Sequence, residues 1–383
     1  MTQLATADLE LPQERTGIRS PWRAAFIVAI AAWSAATAIR LAITALTPHG
    51  VMDWVQWDAV LYVRIAEAGY HVGGPSYPAF FPLYPLLIRL ADPILPGGGI
   101  ASALVIANLS AIGALALLHR LAEHETDPLT AQRAVWFLTA SPMGFFLFVG
   151  YNESLFLMLS IGALYAARKG HWWVAGSLGA LSSATRLFGV LLMLPLAIEY
   201  LRHAGWQPRR IRLDVLGIAL VPMGVVAYSI YCWRELGSPM AFSAAQDQWS
   251  RQYTIPGGAW VISAGQSDGW LGPQTLGSII DAGSMLVVVV LMILCVVGPY
   301  RFRLDQAYLV AYSAICVLLV LSTEVGGRAL QSAPRYAMEA IAIFLVMGRI
   351  GARPTADRVM LTIGMALHAA LLIIYMNGNF LVA

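Results

Sequence analysis

A segment between residues 56 and 70 groups acidic, basic and aromatic residues in an otherwise apolar chain. If the segment is helical, Asp58 and Tyr62 lie on one face and Gly69 ends the helix as a C-cap. Most of the other positions are apolar, which is typical of an amphipathic helix on a membrane surface. A carboxylate at that boundary is suited to act as a general base. A solvated surface charge or a helix cap is the alternative for Asp58.

Two arginines occur where a membrane protein has little reason to keep a charge. Arg186 lies in a short apolar stretch without a nearby carboxylate in the sequence, and Arg335 begins another such stretch. An ionisable residue inside a membrane is a functional candidate by default, and guanidinium binds phosphate through two parallel hydrogen bonds. We therefore expect Arg186 and Arg335 to bind a phosphate. Arg328 either shares this task or belongs to the loop surface.

Besides Tyr62, four further residues are candidates for sugar or acceptor binding. Gln246 and Trp249 lie about one helical turn apart and are suited to hydrogen-bond and stack against a sugar. An interfacial aromatic anchor is the alternative for Trp249. Glu153 lies where two apolar stretches meet and either belongs to the site or caps the next helix. His71 is a candidate proton shuttle or acceptor-site donor, with an ordinary exposed histidine as the alternative.

The composition limits the classes of protein that can hold these residues. Of the 383 residues, 58% are apolar and 12% are charged, whereas soluble domains carry roughly 25% charged residues. Apolar runs near 20 residues, such as 279–297, match the thickness of a bilayer core. The chain is therefore predicted to be an all-α integral membrane protein, and disorder, a secreted disulfide scaffold and nucleic-acid binding are excluded.

No motif for a cofactor or metal is visible. The chain has no P-loop, dinucleotide-binding or metalloprotease motif, so the energy for a reaction must arrive in an activated substrate. Asp53 and Asp58 share a loop, but a pair of carboxylates without further ligands is a poor metal signature. We expect no cofactor and no metal site, and the dependence on a divalent ion stays open.

Clusters of basic residues orient the chain, because lysine and arginine concentrate in cytoplasmic loops. Placing the N-terminus and all such clusters in the cytoplasm accounts for sixteen of the 24 lysines and arginines. The result is about eleven crossings with the C-terminus outside. The predicted spans are 24–46, 99–119, 134–151, 153–167, 172–184, 187–201, 213–233, 277–298, 306–322, 336–348 and 359–377.

We expect residues 1–383 to form one transmembrane domain. Residues 1–23 are a predicted cytoplasmic tail, and the segments 48–98 and 235–276 are predicted extracytoplasmic loops, the first with interfacial helices. The proline-interrupted segment 79–95 lies in the interface or crosses the membrane once more. The number of crossings is also open at 172–201, which forms either two short helices or a re-entrant segment.

Several blocks of the chain closely resemble the PIG-V family, the second mannosyltransferase of glycosylphosphatidylinositol synthesis and its bacterial relatives. The most specific block comprises Trp57-Asp58-Ala59, Ile65–Tyr70 and Ala79–Leu86. Shorter blocks follow in the family's order. They are Ser-Pro-x-x-x-Phe-Phe with Tyr-x-Glu-Ser at 141–154, Ala-Thr-Arg at 184–186, Gly-x-Pro-x-Ala-Phe with Ala-Gln-x-x-Trp at 237–249, and Pro-Arg-Tyr at 334–336.

This resemblance implies a GT-C glycosyltransferase, a multi-span helical enzyme whose first external loop supplies an acidic catalytic residue. It implies a polyprenyl-phosphate sugar as donor, here polyprenyl-phosphate mannose. Asp58 matches the catalytic carboxylate, with Asp53 as the reserve acid, and Arg186 and Arg335 match family arginines. The segment 71–78 departs from the eukaryotic pattern, which leaves the acceptor open.

Together these observations predict an inverting mannosyltransferase of the bacterial plasma membrane, with its active site on the extracytoplasmic side. The expected acceptor is a lipid-linked or cell-envelope glycan. Two alternatives remain, namely a flippase or transporter of a polyprenyl-linked glycan and a GT-C enzyme that uses another lipid-linked sugar, such as arabinose or glucose. A transporter would hold its polar groups near the membrane midplane, whereas the Trp57-Asp58 segment is predicted outside the bilayer.

Overall fold

The structure is a computed structural model that describes residues 20–71, 73–260, 273–325 and 328–379. Most of the predicted N-terminal tail and part of the predicted second loop lie outside these residues. The described chain is mostly helical. Its α-helices are α1 (Pro21–Leu46), α2 (Asp58–Ala68), α3 (Leu83–Ala91), α4 (Gly98–Glu125), α5 (Pro128–Ala140), α6 (Glu153–Arg168), α7 (Trp172–Thr185), α8 (Met193–His203), α9 (Met223–Leu236), α10 (Ala241–Ala244), α11 (Pro273–Val296), α12 (Ala307–Leu321), α13 (Ala333–Ala337), α14 (Ile341–Ile350) and α15 (Pro354–Met376).

Short 3-10 helices and one small sheet complete these parts of the chain. The sheet has the order β1-β2-β3 with antiparallel pairing, and Glu324 lies opposite both Gln252 and Ala329. The all-α prediction missed it because strands of two or three residues leave no alternating pattern. The strands are Gln252–Tyr253, Thr323–Val325 and Arg328–Ala329, and the 3-10 helices are Val51–Trp54, Tyr77–Ala79, Gly144–Leu147, Leu187–Leu192, Pro208–Arg210, Leu213–Leu220, Ala245–Trp249 and Leu304–Gln306.

The described residues contain five helices that are long and apolar enough to cross a membrane. A sixth candidate is the pair formed by residues 213–220 and α9, which is bent by 47°. The predicted count of about eleven crossings is not reproduced by these long helices, and it stays a prediction. The other helices are shorter: α7, for example, has 14 residues and covers about 21 Å of a core about 30 Å thick.

Several predicted spans are interrupted where a continuous helix was expected. The predicted span 134–151 is wrong in its second half, since α5 ends at Ala140 and a 3-10 helix follows at Gly144–Leu147. Here the chain turns so closely that a Cβ atom on Gly144 would lie 2.4 Å from the carbonyl oxygen of Thr139. The spans 187–201, 213–233 and 336–348 are likewise each divided between two helices.

Helix α4 occupies the centre of the fold and packs against α1, α5 and α6. Its buried face carries small residues, among them Ala103, Ala107, Ala111 and Ala114. Small side chains let neighbouring helices approach closely, which is the usual source of packing energy between helices in lipid.

The two ends of α6 carry the two main groups of buried charge in the described chain. Arg168 ends the helix, and its guanidinium pairs with Glu125 at 2.7 Å, Glu199 at 3.1 Å and Asp305 at 2.9 Å. Glu153 begins the helix at the other end, about 22 Å away for fifteen helical steps. The candidate site lies near this N-terminal end of α6.

Candidate active site

A cavity of about 290 Å³ opens between α2, the end of α7, the segment around α10 and β1, and α13. It brings together residues that are far apart in the sequence, including Asp58, Arg186 and Arg335. The predicted sugar-site residues Tyr62 and Gln246 line it as well. The remaining lining residues are Ala79, Phe80, Phe81, Thr185, Leu187, Phe188, Phe242, Ser243, Asp247, Arg251, Tyr253, Gln331, Ser332 and Tyr336.

A tight turn places Asp58 at the wall of this cavity. The amide of Ala59 donates a hydrogen bond of 3.1 Å to the carbonyl of Gln56, and Trp57 between them has φ 50° and ψ −118°. These angles correspond to the first central position of a type II′ turn, which normally takes glycine. Asp58 then begins α2, where the helix dipole favours a negative charge. The turn therefore holds a carboxylate at a helix N-terminus at the expense of backbone strain at Trp57.

Arg335 holds the Asp58 carboxylate in place through an ion pair. Its Nη1 atom lies 3.1 Å from Oδ2 of Asp58, and the two side chains are 4% and 28% exposed. Its Nη2 atom donates to the Tyr336 hydroxyl at 2.9 Å, and its guanidinium lies 5.2 Å and 5.3 Å from the ring centroids of Phe146 and Tyr151. The buried arginine is thus held in one geometry, and it presents one N–H to Asp58.

Glu153 joins the two buried arginines. Its Oε1 atom lies 3.3 Å from Nε of Arg335 and accepts a hydrogen bond from Nη2 of Arg186. The side chain is 2% exposed and does not line the cavity. Helix capping was the alternative for Glu153. Asn152 is the N-cap residue and makes no side-chain capping bond; Glu153 follows it in the first turn.

Arg186 contacts residues that are distant from it in the sequence. It donates to Glu339 at 2.7 Å and to the Asn152 side chain at 2.8 Å, in addition to Glu153. Glu339 was missed, although a carboxylate inside the predicted span 336–348 was itself a signal. Three carboxylates therefore surround two guanidiniums, and neither arginine needs a phosphate to account for its burial.

The other predicted site residues divide into those at the cavity and those away from it. Tyr62 lies against Phe80, with ring centroids 5.2 Å apart, and burial raises the pKa of its phenol well above the ordinary value, so the group stays neutral. His71 instead faces Glu235 at 3.4 Å. Asp53 accepts a hydrogen bond of 2.8 Å from the amide of Gly50, and neither His71 nor Asp53 lines the cavity.

The side chains of Trp249 and Arg328 lie outside the described residues. Among the described residues, no group of three or more histidine, cysteine, aspartate or glutamate side chains is arranged to hold a metal ion. Arg251 and Tyr336 line the cavity and were not among the predicted site residues.

Proteins of known name are similar in sequence to about half of this chain. Residues 30–206 match the family model described as Mannosyltransferase (PIG-V). GPI mannosyltransferase 2 of Yarrowia lipolytica is 26% identical over 204 residues, covering 52% of this chain and 54% of that protein. GPI alpha-1,6-mannosyltransferase 2 of Homo sapiens is 27% identical over 236 residues, covering 57% and 46%. The chain thus spans about half the length of the curated relatives it matches.

Among solved structures, the chain is similar to ArnT from Cupriavidus metallidurans, crystallised with bound undecaprenyl phosphate. The TM-score is 0.53 at 17% sequence identity, and the match covers 91% of this chain and 64% of that one. A likeness at this level of identity concerns the fold. The expected resemblance to the PIG-V family is therefore confirmed for residues 30–206, and the fold is similar to that of ArnT.

Proposed function

We propose that this protein is a membrane glycosyltransferase that transfers a mannosyl residue from polyprenyl-phosphate mannose to a lipid-linked or cell-envelope glycan. The observation that carries the proposal is the carboxylate of Asp58 at the wall of the cavity, paired with the buried Arg335 at 3.1 Å. The family match supports mannose as the sugar. The expected setting is the extracytoplasmic side of a bacterial plasma membrane.

In the proposed reaction, Asp58 accepts the proton of an acceptor hydroxyl as that oxygen attacks C1 of the mannosyl phosphate. The new C1–O bond forms on the face opposite the breaking bond to phosphate, so the configuration at C1 inverts. The lipid phosphate leaves with the bonding electron pair. Oδ2 of Asp58 is held by Arg335, and Oδ1 has no hydrogen-bond partner among the described residues, so it is available to the hydroxyl.

Arg335 acts in this proposal as a positioning residue for the base, and Glu153, itself paired with Arg186, holds Arg335 in turn. Preorganised groups of this kind lower the barrier because they need no rearrangement as charge develops. Tyr62 contributes a neutral phenol to the same wall. Gln246 adds an amide that can hydrogen-bond to a sugar hydroxyl.

The test is Asp58→Asn in membranes supplied with radiolabelled polyprenyl-phosphate mannose. We expect transfer into extracted glycolipid to fall by roughly 10²- to 10⁴-fold, the usual contribution of a general base. Asp53→Asn is the matched control, since it changes an acid of the same loop outside the cavity. Transfer by the Asp58→Asn variant at the rate of the control would overturn the assignment.

A transporter of a polyprenyl-linked glycan is the competing function. Purified protein in detergent has no second compartment, so sugar transfer there requires an enzyme. A GT-C enzyme for another sugar is distinguished by supplying polyprenyl-phosphate arabinose or glucose in the same assay. Faster transfer from either donor than from the mannose donor would overturn mannose as the sugar.

A further inference from the structure

The three arginines that line the cavity differ in their partners. Arg186 pairs with Glu153 and Glu339, and Arg335 pairs with Asp58. Arg251 also lines the cavity, yet within the described part of the chain no carboxylate lies within 4 Å of its guanidinium. It is therefore the lining cation whose charge is still available to a ligand.

The charge around the other two arginines argues against a phosphate there. Asp58, Glu153 and Glu339 offer three carboxylates to Arg186 and Arg335. A phosphate that displaced Glu153 or Glu339, which are 2% and 3% exposed, would leave a carboxylate buried without a partner, which is strongly unfavourable. An anionic ligand is expected instead at a cation that no carboxylate already occupies.

The backbone around Arg251 is fixed by hydrogen bonds to the neighbouring segment. Gln252 and Tyr253 pair with Glu324 and Thr323 in the small sheet. The amide of Thr254 donates to the carbonyl of Ser322 at 2.8 Å. These bonds place Arg251 at the cavity from a loop that is distant in sequence from α2 and α13.

The side chain of Arg251 also has an unsatisfied group. Its Nε atom is buried and has no hydrogen-bond partner among the described residues. Buried N–H groups are normally hydrogen-bonded, and this one also lacks the carboxylate that lies 3.3 Å from the equivalent Nε atom of Arg335. Asp247 also lines the cavity, but its side chain is exposed and its carboxylate lies more than 4 Å from the Arg251 guanidinium.

We propose that Arg251 binds the phosphate of the lipid-linked donor, while Arg186 and Arg335 hold the carboxylates of the site. The proposal rests on the proposed function for the class of donor. The guanidinium of Arg251 offers a fork of N–H donors that matches phosphate oxygens. The charge developing on the leaving phosphate would then meet a cation that is not shared with the base.

The test measures binding of undecaprenyl phosphate and of undecaprenol, which lacks the phosphate, to the purified full chain in detergent. We expect the wild-type protein to prefer the phosphate and Arg251→Gln to bind undecaprenyl phosphate about ten- to a hundredfold more weakly, as for the loss of a charged hydrogen bond. Binding of undecaprenol should not change. Arg251→Lys should restore part of the preference, because it keeps the charge.

Arg234→Gln is the matched control, since Arg234 lies in the last turn of α9 and does not line the cavity. Wild-type affinity of Arg251→Gln for undecaprenyl phosphate would overturn the proposal, as would a loss that appears only in Arg186→Lys or Arg335→Lys. A wild-type protein without preference for the phosphate overturns the donor class and this assignment together.

Transfer by the Asp58→Asn variant separates the two proposals. If that variant keeps full transfer while Arg251→Gln loses the phosphate preference, the base is wrong and the phosphate site stands. If it loses transfer while Arg251→Gln binds normally, the base stands and the phosphate site is wrong.

Discussion

At the scale of single residues, the site is a chain of ion pairs that ends in Asp58. Glu153 contacts Arg186 and Arg335, and Arg335 contacts Asp58. Because Glu153 is 2% exposed, removing its charge leaves two buried guanidiniums with one carboxylate fewer. Breaking a buried ion pair from one side typically costs about 3–5 kcal/mol.

We therefore expect Glu153→Gln to lower the free energy of unfolding by about 3–5 kcal/mol and to slow transfer, because Arg335 loses its support. Denaturant unfolding in mixed micelles measures the first effect. Glu235→Gln is the control, as the Glu235 side chain is 52% exposed beside His71, and exposed pairs contribute under about 1 kcal/mol. Equal stability of the two variants would contradict a buried network.

The sequence singled out Asp58, Arg186 and Arg335, because charge is scarce in this chain and each lies in a recognisable block; the structure places all three at one cavity, and their roles stay predictions. The sequence was not sufficient to pair them. Arg186 lacked a nearby carboxylate along the chain, whereas in space it contacts Glu339, 153 residues away. Arg251 sits in a loop without a strong pattern, so the sequence did not separate it from the other arginines that lie outside the cytoplasmic clusters.

At the scale of elements, the C-terminal helix α15 supports the turn that carries Asp58. The Tyr375 hydroxyl accepts a hydrogen bond of 3.1 Å from the amide of Gln56 and donates one of 3.2 Å to the carbonyl of Trp54. These bonds hold the residues just before the strained Trp57. The turn is therefore kept in place by a helix more than 300 residues further along the chain.

We expect Tyr375→Phe to lower kcat about two- to tenfold with little change in donor affinity, since it removes neutral hydrogen bonds worth about 0.5–1.5 kcal/mol each. Steady-state transfer kinetics separate the two parameters. The control is Tyr165→Phe in α6, because the Tyr165 hydroxyl makes no hydrogen bond to any described residue. A larger change in donor affinity than in kcat would contradict a positioning role.

Helices with long uninterrupted apolar runs were predicted well, and interrupted ones were not. The predicted span 24–46 corresponds to α1, and 359–377 to the larger part of α15. The amphipathic segment does begin at Asp58 and end before Gly69, whose φ is 76°. The breaks at Ser141 and after Leu220 depend on close packing between segments, which a single apolar run does not reveal. For example, a Cβ atom on Gly176 would lie 1.7 Å from the carbonyl oxygen of Gly217.

At the scale of the whole molecule, the two networks of buried ion pairs in the described chain lie at opposite ends of α6. Segments predicted to be cytoplasmic meet at one end, where Arg168 pairs with Glu125, Glu199 and Asp305 and Arg349 donates to the carbonyl of Tyr300 at 2.6 Å. Segments predicted to be extracytoplasmic meet at the cavity. Arg168 belongs with Lys169 to one of the basic clusters that were predicted to be cytoplasmic, and it also joins four separate segments of the chain.

This division predicts which side of the membrane each end faces. We expect Ser238→Cys, in the exposed turn after α9, to react with a membrane-impermeant maleimide in sealed right-side-out vesicles, and Gln207→Cys, in the exposed turn after α8, to react only after the membrane is opened. The three native cysteines are buried, so the wild-type chain serves as the unlabelled control. The bent pair 213–236, the sixth candidate span, separates the two positions. An opposite labelling pattern would place the cavity on the cytoplasmic side. Equal labelling of both positions would show that this pair does not cross the membrane.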